Sequence, residues 1–239
     1  MAKEGTEVYA FDRRGFGNSV EPGLLRGDTK DFSRHLQDFD DFVSFVKKNH
    51  PGKEVFMFGH SIGCAYALWF ASSHPDALDG MILAAPPVMP TTKPPTFDTI
   101  KFLFLLIFAP RTMYNLFNRW PKDFKATQEY KTIVDDPLCA KEFSVRWLIS
   151  VQRKLFNRML ANGATIGKPT LTIQGEADGV ALPEGARRLH DVLPTKEKTL
   201  KLFPQANHYF YRVIYPGEPL DAHTAMHVTM TVTDWLQAH

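Results

Sequence analysis

Three short segments of this 239-residue chain carry side chains with nucleophilic or proton-transfer chemistry. They are Ser61 in Gly59-His60-Ser61-Ile62-Gly63, Asp178 in Gly175-Glu176-Ala177-Asp178-Gly179, and His208 in Ala206-Asn207-His208. A serine hydroxyl is a weak nucleophile at neutral pH. It needs a histidine to take its proton, and that histidine needs a carboxylate to fix its tautomer. The order Ser, acid, His along the chain therefore points to acyl transfer through a covalent intermediate, chemistry that needs no cofactor. Glu176 competes with Asp178 for the acid role, but Asp178 lies deeper in its loop. His60, inside the serine turn, is a candidate pocket residue. His35, His50, His74 and His190 fall on helices or their ends and read as solvated. His223 and His227 are spaced i, i+4 on a helix, as metal ligands can be. No third ligand accompanies them, so a surface pair is expected and no metal.

The elements around these residues set where they stand. Val55 to Phe58 is a short continuous apolar run, the pattern of a strand buried on both faces of a parallel sheet. The glycine turn with Ser61 follows it and leads into the small-residue run Cys64 to Ala71, read as a helix. This strand, sharp turn and helix would hold a hydroxyl out above a sheet. Met81 to Ala85, Pro169 to Gln174 and Thr199 to Phe203 are further strands, and Glu7 to Phe11 is a strand-like run near the start. Helices are expected over Lys30 to Asn49, where Phe32, Leu36, Phe39, Val43 and Val46 recur every three or four residues, over Glu184 to Val192 after Pro183, and over Asp221 to Gln237. Asp178 and His208 then follow the C-terminal ends of two strands, where sites in such sheets are built.

The alternation predicts an α/β fold with a mostly parallel sheet covered by helices on both faces. Residues 88–167 break it. They are rich in Phe, Leu, Pro and Lys, with helical stretches and no evident strand, and read as a helical cap inserted into a core of residues 1–87 and 168–239. Phe97, Phe102, Phe104, Leu105, Leu106, Phe108, Leu116, Phe117 and Trp120 make that cap apolar. They suit an acyl-binding tunnel or a lid touching a membrane, and equally the cap's own core; Phe102, Leu105 and Leu106 are the candidate substrate contacts.

Composition narrows the partners. A net charge of +2 with basic residues spread along the chain gives no nucleic-acid surface. Two cysteines, Cys64 and Cys139, give no disulfide framework, so a reduced cytoplasmic setting is the default. The N-terminus has no apolar signal segment, and Phe102 to Ala109 falls well short of the roughly 20 residues that cross a bilayer.

Five segments bring a resemblance. Val8-Tyr9-Ala10-Phe11-Asp12-Arg13-Arg14-Gly15-Phe16-Gly17-Asn18-Ser19, Gly59 to Gly63, Asp136-Pro137-Leu138, Gln174 to Asp178 and Phe203 to His208 resemble the α/β-hydrolase family of monoacylglycerol lipases and lysophospholipases. The likeness runs through most of the chain and is loosest in the cap. It implies the α/β-hydrolase fold, Ser61 as nucleophile, Asp178 as acid, His208 as base and the backbone N–H of Ile62 as an oxyanion donor. It implies a fatty-acyl ester substrate such as a monoacylglycerol or lysophospholipid; a small soluble ester, a peptide or noncatalytic acyl binding are the alternatives. The family also carries a His-Gly strand and loop ahead of the segment matching Val8 to Ser19, which supplies the second oxyanion donor. This sequence begins after it, so Met1 is expected to be an internal methionine of a longer enzyme.

Overall fold

The computed structural model describes residues 5–91, 104–116, 128–209 and 222–239. Its elements in order are α1 (Arg34–Asn49), β1 (Phe56–His60), α2 (Ile62–Ser73), β2 (Gly80–Ala84), β3 (Met113–Asn115), α3 (Gln128–Asp135), β4 (Glu142–Ser144), α4 (Val145–Ser150), α5 (Met159–Gly163), β5 (Thr170–Gly175), α6 (Pro183–Val192), β6 (Lys198–Phe203) and α7 (Ala222–Ala238). Two compact units emerge. One comprises residues 1–9, 42–93 and 154–239, the other residues 10–41 and 94–153.

The first unit holds a parallel sheet in the order β1-β2-β5-β6. Every residue of β2 and β5 is buried; β2 reads accordingly as an unbroken apolar run, whereas β5 alternates Thr170 and Thr172 with Leu171 and Ile173 and is nonetheless covered on both faces. Ile82, Ala84, Leu171 and Ile173 form a core cluster with Val228, Val232 and Trp235 of α7. Met81 and Leu83 alternate with them, point to the opposite face and are fully buried too, so helices cover both sides. Helix α2 is buried almost all round, from Cys64 through Leu68 and at Phe70, as its composition of small and apolar residues demands. This is the α/β architecture, a parallel sheet between two layers of helices, expected from the alternation. Element ends shift by a residue or two, and α1 starts four residues later than the periodicity suggests.

Several expectations fail for identifiable reasons. Val55 to Phe58 reads as a strand buried on both faces, but β1 stands at the end of the sheet among the described residues and is only partly covered, with Phe58 44% exposed. Glu7 to Phe11 forms no strand, because none of the described residues offers it a ladder partner, and β1 pairs with β2 alone. Val8 is 63% exposed, and Tyr9 is tied by its hydroxyl to Glu7 at 2.8 Å and His50 at 2.6 Å. The segment 88–167 does contain strands. β3 and β4 pair antiparallel within the second unit, but three residues each are too few to display an alternation.

In that second unit Ser144 caps α4, accepting from Trp147 N at 3.2 Å, and its hydroxyl donates to buried Asp28 at 2.6 Å. Phe143 stacks on Trp147 with ring centroids 4.8 Å apart. His35, expected to be solvated, is 1% exposed against Phe32. Burial, with Arg13 adding to it, pushes its pKa down to about 3, so the ring is neutral.

Candidate active site

Ser61 joins β1 to α2 with φ 50° and ψ −122°, a backbone conformation that a residue with a Cβ rarely adopts. Such a position costs about 1–3 kcal/mol and persists only where surrounding structure fixes it. Here the fixing groups are visible. Ser61 N–H donates to Ala84 O at 2.9 Å, and its carbonyl accepts from Cys64 N at 2.9 Å. A Cβ on Gly59 would sit 2.6 Å from Gly63 O, so that glycine is what lets α2 start this close to its strand. Gly63 has open space where a Cβ would go and bears no such demand. Cys64 donates its Sγ–H to Gly59 O and Ala84 O, both at 3.1 Å; burial pushes its pKa up and keeps it an inert thiol.

The loops that carry Asp178 and His208 are stitched together by main chain. Glu176 N–H donates to Phe203 O at 3.0 Å and Ala177 N–H to Ala206 O at 3.0 Å. Gly175 permits the approach, since a Cβ there would run into Ala206 O. Asp178 is buried beneath this junction. Its Oδ1 accepts from the N–H groups of Val180 at 2.8 Å and Ala181 at 2.9 Å, and its Oδ2 from Gln174 Nε2 at 2.9 Å. Burial alone would raise the Asp178 pKa. The hydrogen bond and charge of His208 and the two backbone donors outweigh it and hold the carboxyl below its usual value.

His208 Nδ1 lies 2.8 Å from Asp178 Oδ2, and both side chains are shut away from solvent. An ionised carboxylate has no proton to give, so Nδ1 carries the hydrogen and Nε2 of the neutral ring is left as an acceptor. His60 Nε2 lies 3.0 Å from His208 O, a carbonyl that can only accept, so His60 donates there. Its ring centroid is 4.9 Å from that of His208, and Tyr209 meets His208 edge-on at 5.1 Å. The residue before Ser61 thus ties the serine turn to the histidine loop.

The structure brings Asp178 to His208, and His60 of the serine turn to His208. None of the hydrogen bonds among the described residues joins Ser61 Oγ to His208, a bond that is often open until substrate arrives. Ile62 is the first residue of α2, so its N–H has no acceptor within the helix. Glu176, the rival acid, is exposed and lies 3.8 Å from Arg187. Leu105 and Leu106 are half-buried on the helical turn 104–108 of the second unit; Phe102, with Phe97, Phe117 and Trp120, lies outside the described residues. His227 is exposed on α7, the His223 side chain is not among those described, and no cluster of three metal-ligating side chains occurs among the described residues. Gln174 opens one of the resembling segments but carries no role in the sequence reading. Its one signal there is a long amide at the end of a strand of threonines and aliphatic residues.

Among the described residues no helix is long and apolar enough to cross a membrane. Comparison with known proteins agrees with the fold. Human monoglyceride lipase is 30% identical over 214 residues, covering 86% of this chain and 67% of that protein. A monoacylglycerol lipase of Mycolicibacterium smegmatis is 26% identical over 239 residues, covering 98% and 79%. The crystal structure of a Paleococcus ferrophilus monoacylglycerol lipase superposes with a TM-score of 0.79 at 26% identity, covering 99% of this chain and 85% of that one. The profile of the serine aminopeptidase (S33) family matches residues 1–212, and the chain belongs to that family of α/β-hydrolases.

Proposed function

We propose that the chain is a serine hydrolase that cleaves a fatty-acyl ester of the monoacylglycerol or lysophospholipid type through an acyl-enzyme. Ser61 Oγ attacks the ester carbonyl while His208 Nε2 takes its proton, and Asp178 steadies the imidazolium so formed. Ile62 N–H, at the positive end of α2, receives the developing oxyanion. His208 then protonates the leaving alcohol, water attacks the acyl carbonyl with His208 again as base, and Ser61 is released. The observation that carries this reading is the buried Asp178–His208 pair, which leaves an imidazole nitrogen free to act as base beside a strained serine turn. No cofactor enters any step.

The acyl preference is supported by the relatives named as monoglyceride lipases and by residues 88–167, which we take as the cap over a core of residues 1–87 and 168–239. Phe104, Ile107 and Phe108 of that segment are largely exposed, as residues that meet an acyl chain or a lipid surface would be. Turnover of p-nitrophenyl esters of increasing chain length tests it. Decanoate is expected to be cleaved with higher kcat/KM than acetate, and Ser61→Ala is expected to abolish both; a preference for acetate contradicts the lipid reading and favours a small soluble ester.

A further inference from the structure

Gln174 closes β5 with its side chain fully buried. Its Nε2 is 2.9 Å from Asp178 Oδ2, 3.1 Å from Gly175 O and 3.3 Å from Ala181 O, three groups that only accept. That end must therefore be the NH2, because Oε1 turned there would face a carboxylate and two carbonyls. At the other end Oε1 is buried and accepts no hydrogen bond among the described residues. For folding alone this is a poor arrangement, since a half-satisfied buried amide is less favourable than an apolar side chain of the same shape.

The donor end is what singles the residue out. Asp178 Oδ1 is held by two backbone N–H groups that any sequence would supply, whereas Oδ2, the oxygen facing His208, has Gln174 as its other donor. The geometry points to Gln174 as a positioning residue for acyl transfer: its amide pins the Asp178 oxygen that receives His208 Nδ1–H, and so aims the imidazole. Two N–H donors on one oxygen fix the carboxylate's rotation about its Cβ–Cγ bond, and misdirection of a catalytic group by about 1 Å costs on the order of 100-fold in rate. The inference rests on the Ser61–His208–Asp178 assignment.

Gln174→Met keeps length and shape and removes the donor. Its melting temperature is expected to equal or exceed that of the parent, while kcat for p-nitrophenyl decanoate and the rate of fluorophosphonate labelling fall by about 10- to 100-fold with KM unchanged. The acid limb of its pH–rate profile is expected to move to higher pH, because an oxygen with one donor fewer holds the imidazolium proton more tightly. A lower melting temperature with kcat and the pH profile intact overturns the inference. Gln174→Glu decides the matter should the Met variant not fold. Protonated, Glu can donate to Oδ2; ionised, it repels Asp178, so its activity relative to the parent is expected to fall as pH rises, and a flat ratio overturns the inference. Ser61→Ala separates the two levels. If it still labels, the triad assignment fails; if it does not label but Gln174→Met labels as fast as the parent, only the role of Gln174 fails.

Discussion

Asp28 in one unit and Asp178 in the other are both buried carboxylates ringed by close donors, yet the donors differ in kind. Asp28 receives Arg146 on both oxygens at 2.7 Å, with Ser144 Oγ at 2.6 Å. Burial works against its charge, and Arg146 and Ser144 more than offset this, holding the carboxyl below its usual range. Asp178 reaches a similar state with two backbone N–H groups, one amide and one imidazole, and none of its partners among the described residues is a permanent cation. A guanidinium consumes a carboxylate's charge for good, which suits a structural joint. Neutral donors and a titratable ring leave the charge available to a proton that arrives and departs during a reaction.

The contrast breaks in measurable ways. Asp178→Asn presents an amide to Nδ1 and permits the wrong tautomer, so kcat is expected to fall by about 10⁴-fold with little change in melting temperature. Loss of folding with activity per folded molecule retained would make Asp178 a joint like Asp28. Arg146→Met leaves Asp28 buried with the Ser144 hydroxyl and, at 3.8 Å, the exposed Arg111. Urea unfolding is expected to show a loss of about 3 kcal/mol, the low end for a broken buried pair because the guanidinium reaches solvent. A loss below about 0.5 kcal/mol, the surface-pair range, removes the structural half of the comparison.

Acid sharpens it further. Both carboxylates have folded pKa values below the unfolded ones, so their contribution is complete above an unfolded pKa of about 4 and drains away as pH falls below it. His35 behaves differently. Its folded pKa of about 3 is depressed, so the unfolded chain binds a proton first, and stability declines as pH falls from about 6.5 toward that value. Thermal melts are expected to show a decline between pH 6.5 and 4.5 that His35→Phe flattens, whereas Asp28→Asn leaves that window unchanged. The smallest effect belongs to Arg111, 59% exposed and 3.8 Å from Asp28; Arg111→Ala is expected to change stability by less than about 1 kcal/mol in the same urea titration.

Much of the first unit was legible because short strands bounded by Pro and Gly alternate with helical stretches, and β2, buried on both faces, is the continuous apolar run such a strand favours. Ser61 was legible because its glycine turn joins the apolar run of β1 to a helix of small residues. Other features left no periodic trace. β3 and β4 are too short for a pattern, and Glu7 to Phe11 has the composition of a strand without a neighbour to pair with among the described residues. His35 looked solvated because helical periodicity says where a side chain points but not what covers it. The work of Gln174 depends on which oxygen of Asp178 it meets, and no spacing along a chain encodes that.

The assignment of Ser61 as the nucleophile is tested most directly by trapping its acyl-enzyme. After brief mixing with p-nitrophenyl decanoate and an acid quench, mass spectrometry of the digested protein should find a decanoyl group on the peptide containing Ser61, and none after the Ser61→Ala substitution. A decanoyl group on another residue, or undiminished ester cleavage by Ser61→Ala, would contradict it.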